Sequence, residues 1–312
     1  MTNNTPHPFI DKKTFMSMVE RTIVPALRPH ERSRLKLLRL KYTMWVISFF
    51  SFILLNLLNS KYHFLILKDH DEYQLFMFIA AIPTAYIYVK IRCYVKKKKN
   101  NILPMCFTYL GDLEVGQNII SSNFIKDSLL FKDFNPPYVD EEFSGRFTDT
   151  TFSLSEEKLT VGHGKNKDTL FNGIFIAIRM HKPIHGHTVI FNCSFFKKPS
   201  VSPLEKVEIE DPEFMKKNYI YSTDQIEARY ILTPAFIERL KSLKMAFNTD
   251  RIDMAFFNEY ALLAIHCPHN LFETFTINKP VTDTQIFDVF YDEMHALKNL
   301  IETLKMDNVN RF

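Results

Sequence analysis

The run "YSTDQIEARYILTP", residues 221–234, sets two carboxylates and a guanidinium, Asp224, Glu227 and Arg229, in an otherwise aromatic and aliphatic stretch. Such a trio can bind a small ligand or support acid–base chemistry. It can equally form an internal ion pair, because a buried guanidinium needs hydrogen-bonded partners. Local folding accounts for much of the run. Ser222 followed by Gln225 is a capping-box pattern, and Thr233 before Pro234 is an N-cap with proline at the first helical position. Phe236, Leu240 and Leu243 then mark the buried side of a helix. Arg229, between Ala228 and Tyr230, is expected to be buried and paired with Asp224 or Glu227.

A second run, "HKPIHGH", brings His181, His185 and His187 close in sequence. Zinc needs three or four convergent ligands, and Pro183 and Gly186 make this a turn, so an exposed hairpin tip is favoured over a metal site. "HCPH" (266–269) reads as the close of a strand. No phosphate cradle, G-x-S-x-G elbow or H-E-x-x-H helix is present, and with 7 glycines "GHGK" (162–165) matches no nucleotide fingerprint. The acidic runs 140–142 and 208–213 read as solvated loops, with Asp211 before Pro212 as a helix N-cap. No cofactor is expected.

The elements that must carry these residues begin at a membrane. Residues 42–60 and 73–89 contain no charged residue over nineteen and seventeen positions. At a helical rise of about 1.5 Å per residue they reach about 28 and 26 Å, near the roughly 30 Å hydrocarbon thickness. Two transmembrane helices are expected, the second kinked at Pro83; two buried core helices are the alternative. No cleavable signal is expected, since forty-one mostly polar residues precede the first run.

Charge orients the hairpin. Residues 1–41 hold nine Lys/Arg against three Asp/Glu, and residues 90–99 hold six against none. Residues 100–312 hold 22 against 29, a net −7. Basic outer flanks place both termini in the cytoplasm. Lys96, Lys97, Lys98 and Lys99 are expected at the lipid headgroups. An acidic remainder argues against nucleic acid as a partner. The bilayer and a membrane or cytoplasmic protein are the partners expected; the oligomeric state is left open. Cys93, Cys106, Cys193 and Cys267 form no C-x-x-C pair and are expected as free thiols.

The expected organisation is a basic, amphipathic helical region (1–41), the membrane hairpin (42–89), a basic linker (90–99) and a cytoplasmic domain (100–312). The N-terminal helix, with Phe15, Met18, Val19, Ile23 and Leu27 on one side, is expected to break near Pro25 and Pro29, and to lie on the membrane or on the domain. Residues 118–131 read as a helix capped by Ser121 or Ser122. Residues 145–155 read as a strand with "EKLTV" as its hairpin partner. Residues 169–181 read as a buried strand pairing with 187–193 across "KPIHG", and 251–267 as a hairpin turning at Asn258 and Glu259. A final helix carries Phe287, Phe290, Met294, Leu297, Ile301 and Leu304, behind a capping box of Thr282 and Gln285. That stripe is expected on the sheet rather than in a coiled coil. The fold class is α+β: an N-terminal helix and transmembrane hairpin, then an antiparallel sheet with packed helices.

The order of these features resembles the bacterial domain of unknown function 3137 family of two-pass membrane proteins. The matching pieces are "RTIVPAL", "ERSR", the two spans, "LFNGIFIAIRMHKPIHGHTVIF" and "EDPEFMKKNYIYSTDQIEARYILTPAFIERL". Where the family pattern tends to Asp-Phe-Asn-Lys, this chain has Ile178, Arg179, Met180 and His181. The resemblance implies topology and fold, an integral protein of the bacterial inner membrane, and transfers no catalytic residue. The resulting expectation is a membrane-anchored cytoplasmic binding or scaffold module. The alternative is an enzyme or small-ligand sensor with a polar site around Asp224, Glu227 and Arg229.

Overall fold

The computed structural model describes residues 9–62, 70–110, 112–115, 119–147, 149–164, 167–193, 203–267 and 277–309. The chain forms two compact units: Met16–Leu103 with Thr274–Ile286, and Met1–Phe15, Pro104–Glu273 and Phe287–Phe312.

Helix α1 (Lys12–Met18) runs through a π turn at Val19–Ile23 into α2 (Val24–Tyr62), and α3 spans His70–Leu110. The break expected at Pro25 and Pro29 does not occur. A proline ring crowds the carbonyl four residues back, and the wider π turn just before Pro25, where the Val24 N–H reaches the Val19 carbonyl, relieves that crowding. Pro29 sits inside the continuing helix. Phe15, Val19, Ile23 and Leu27 are all buried, as their spacing requires.

The helix over Lys12–Leu54 is long and apolar enough to cross a membrane, its most apolar 18-residue window having a mean hydropathy of 1.4 with none of that window buried. Trp45, Phe49, Phe50 and Leu54 are each more than half exposed. In the second expected span, the side chains of 73–81 lie outside those described. In the same unit the Tyr94 hydroxyl donates to the His30 carbonyl at 3.1 Å. Arg34 grips Glu31 and donates to the Ile277 carbonyl at 2.7 Å, and Glu31 accepts the Val281 N–H at 2.9 Å.

The other unit is built on a nine-stranded antiparallel sheet. In chain order it contains β1 (Asp112–Val115), α4 (Ser122–Asp127), β2 (Tyr138–Phe147), β3 (Thr150–Val161), β4 (Asp168–Arg179), β5 (Thr188–Asn192), β6 (Glu205–Lys206), α5 (Pro212–Lys217), β7 (Asn218–Ser222), α6 (Gln225–Ile231), α7 (Pro234–Ala246), β8 (Ile252–Phe257), β9 (Tyr260–His266) and α8 (Gln285–Val309). The spatial order is β1-β2-β3-β4-β9-β8-β5-β7-β6.

Two expected pairings are corrected. Phe147 stands opposite Thr150, so residues 145–147 belong to β2 and "EKLTV" continues β3. The apolar alternation runs through 150–161 without a turn residue, whereas Asp149 is a turn former. Strands β4 and β5 do not pair either. The β8–β9 hairpin lies between them, and residues 180–187 cross its tip, with the Met180 N–H on the Glu259 carbonyl and the Ile184 N–H on the Asn258 carbonyl. That hairpin turns where expected, with Asn258 at φ 55°, a conformation asparagine tolerates.

One sheet face, with Phe171, Phe175, Val189, Ala255 and Leu262, packs on Ile120, Ile125, Leu130 and Phe131. Helices cover the other: Phe236 of α7 meets Phe256 at 5.9 Å, and Phe107 meets Phe143 and Phe290 at 5.1 and 5.6 Å. All six apolar residues expected on α8 are buried. In front of α8, Asp283 rather than Thr282 accepts the Gln285 N–H, because the helix starts at Gln285.

Candidate functional site

The two motif runs meet. Asp224 is the N-cap of α6, its Oδ1 accepting the N–H groups of Ile226 and Glu227 at 2.9 Å each. Ser222, expected as the cap, stands earlier in β7, 2.8 Å from Thr188 Oγ1, and accepts the Asp224 N–H at 3.0 Å. Glu227 reaches to the connector: Oε1 accepts the His185 N–H at 3.2 Å and Oε2 the Gly186 N–H at 2.7 Å. Beside it the Thr223 N–H donates to the His187 carbonyl, and Thr223 Oγ1 accepts the His187 N–H at 2.8 Å. A Cβ on Gly186 would stand 2.9 Å from Asp224 Cβ and 3.0 Å from Glu227 Oε2, so the contact admits glycine.

Arg229 departs from expectation. It is exposed, and its Nε donates to the Glu208 carbonyl at 3.3 Å. Ala228 and Ile231 are the buried positions of α6, and that helical phase turns Arg229 outward. It shares the outward side with Ile226 and Tyr230, 66% and 62% exposed. Asp224 and Glu227 instead hold backbone N–H groups.

The histidines diverge as well. His181 Nε2 lies 2.8 Å from Thr150 Oγ1, and His185 is exposed. His187 Nε2 lies 3.0 Å from the Ser128 carbonyl, with its ring stacked on Phe257, and burial lowers its basicity. Among the described residues no group of three or more His, Cys, Asp or Glu is placed to hold a metal ion. His269 lies outside the described residues.

Two buried polar clusters went unread in the sequence. Asp253, 1% exposed, accepts His266 Nε2 at 2.8 Å, the Asn192 N–H at 2.8 Å and the Arg251 guanidinium at 3.0 Å. Burial alone would raise its carboxyl, but His266, Arg251 and Asn192 together hold it below the usual range. The available signal was an acid inside the apolar strand "RIDMAFF", which requires buried partners. The second cluster is on β3. Glu157, 2% exposed, accepts the Ser155 hydroxyl on Oε1 at 2.6 Å, while Oε2 has no hydrogen-bond partner among the described residues. Burial pushes this carboxyl up to about 7, against the Ser155 bond, and Glu142 adds to the rise.

The lysine run is split. Lys96 and Lys97 are exposed, whereas Lys98 is 6% exposed, 5.4 Å from the centre of the Tyr94 ring. Burial brings its amine down to about 8, partly offset by Glu31. The Lys99 side chain lies outside the described residues.

The chain resembles the family described as "Protein of unknown function (DUF3137)", whose model matches residues 169–306, so the matched region contains both runs. No curated protein matches. A solved structure titled "crystal structure of the mycobacterial trehalose monomycolate transport factor A, TtfA" is similar at 10% identity and TM-score 0.35, covering 68% of this chain and 92% of that one. A similarity at that level carries neither fold nor function across.

Proposed function

We propose that the protein is a membrane-anchored binding or scaffold module of the bacterial inner membrane, crossing it twice at residues 42–60 and 73–89 with both termini in the cytoplasm. The basic flanks of the two apolar runs support that orientation. Exposed aromatics at one end of each run, Tyr42 and Trp45 on α2 and Tyr86 and Tyr88 on α3, are the residues favoured at a membrane–water boundary and support the crossing itself.

The observation that carries the binding reading is the outward side of α6. Asp224 and Glu227 are engaged in backbone hydrogen bonds, which leaves Ile226, Arg229 and Tyr230 facing solvent. An aromatic and an arginine next to an aliphatic side chain is the composition that anchors protein interfaces. The partner is a protein offering an apolar surface and a carboxylate for Arg229. The test is purification of the intact protein in mild detergent, with co-purifying proteins identified by mass spectrometry. A stoichiometric partner, lost in Ile226→Ser/Tyr230→Ser and retained in Met245→Ser, supports the reading. Recovery of the intact protein alone removes it.

A further inference from the structure

We propose that Lys36, Arg39, Lys41 and Lys90, rather than Lys96–Lys99, meet the cytoplasmic headgroups and gather anionic phospholipid around the paired helices; this rests on the two-span reading above. The Tyr94 hydroxyl on the His30 carbonyl fixes one common level for α2 and α3. At about 1.5 Å per residue, Tyr42 and Trp45 stand about 18 and 23 Å from that level toward the membrane, and Tyr86 and Tyr88 about 12 and 9 Å. These four exposed rings mark the boundary layer. On the same scale Lys41, Arg39, Lys36 and Lys90 lie about 17, 14, 9 and 6 Å along, within or just below the rings. Lys96 and Lys97 fall about 3 and 5 Å on the opposite side of the level. Lys96 thus stands about 9 Å beyond Lys90, more than the roughly 5–8 Å depth of a headgroup layer, while Arg39 and Lys41 reach back to that layer along their stems.

The chemistry of the upper four agrees. Lys36, Arg39 and Lys90 are exposed and Lys41 half-exposed. Lys90 Nζ lies 4.6 Å from the Tyr86 ring centre and Lys41 Nζ 5.9 Å from that of Tyr42, so each cation sits over a boundary ring. Lys41 Nζ also touches Asn278 Oδ1 at 3.3 Å, a neutral partner that leaves its charge uncompensated. Neither helix contains an acid between Glu31 and Ser60 or between Tyr73 and Leu110, so the field there is of one sign. Long basic side chains lie along apolar surface and extend their heads to phosphate, which an anionic lipid supplies.

Trp45 is the chain's single tryptophan and stands in this layer, so it reports its own lipid neighbours. The full-length protein is reconstituted in phosphatidylcholine vesicles carrying a minor fraction of either dibrominated phosphatidylglycerol or dibrominated phosphatidylcholine. The expected result is quenching about twofold or more stronger by the brominated anionic lipid, since each basic residue near the surface enriches it several-fold. Lys36→Gln/Arg39→Gln/Lys41→Gln/Lys90→Gln brings the two lipids level, while Lys96→Gln/Lys97→Gln keeps the difference. Equal quenching of the unaltered protein overturns the inference while leaving the spans intact. Loss of the preference in the Lys96/Lys97 variant, with the quadruple variant unaffected, overturns it too. If neither brominated lipid quenches Trp45, the membrane reading itself fails.

Discussion

Glu227 Oε2 accepts the backbone N–H of Gly186 at 2.7 Å, across 41 residues of chain. The same carboxylate holds His185 N–H, so one side chain fixes the connector that crosses the β8–β9 tip. Charge-assisted bonds of this kind are the stronger class. Glu227→Ala is expected to cost about 2 kcal/mol, lowering the thermal midpoint by several degrees. Arg229→Met, on an exposed side chain, should stay within about 0.5 kcal/mol. Thermal unfolding of the two variants side by side checks the contrast.

Gly186→Ala tests the same contact from the other side. The new methyl must displace Asp224 Cβ or the Glu227 carboxylate, and a loss of about 1–3 kcal/mol is expected, read as a lower midpoint in denaturant. A neutral outcome would mean the clasp is looser than its distances.

Glu157 gives stability a pH dependence of known sign. Its carboxyl is raised to about 7 in the folded chain, above its unfolded value, so the folded state holds the proton more tightly. The contribution is fully present below the unfolded value and is lost as pH rises through about 7. Glu157→Gln should therefore raise the midpoint at pH 8 and leave it nearly unchanged at pH 4. Melting curves across that range decide it.

Lys98 has the opposite sense for a base. Its amine falls to about 8 on folding, so the unfolded state binds the proton more tightly and folding is penalised at neutral pH. The penalty fades as pH rises from about 8 toward the ordinary lysine value of 10.5. Lys98→Met is expected to raise the midpoint at pH 7, with the gain shrinking by pH 10.

Local chemistry was readable in the sequence where a residue acts on its own neighbourhood. Ser121, Asp211 and Thr233 cap α4, α5 and α7 as their types and positions imply, and the stripe on α8 is buried throughout. What required the tertiary structure was distance along the chain. The β4–β5 connection resembles a hairpin turn until β8 and β9, some seventy residues later, take the space between. Arg229 looked buried because its neighbours are apolar, yet the phase of a seven-residue helix turns Ala228 inward and Arg229 out. Asp224 and Glu227 stand out by their charge in an apolar run, but their partners are backbone N–H groups, which no side-chain pattern can announce.

The outward side of α6 is proposed to hold a protein partner. The most direct measurement replaces Tyr230 with a photo-crosslinking amino acid in the full-length protein, expressed in its own cells, beside the same replacement at Met245, which is 74% exposed on α7. The account predicts a discrete adduct of one partner from position 230 and none from 245. Identical adduct patterns at the two positions, or no adduct from 230, would contradict it.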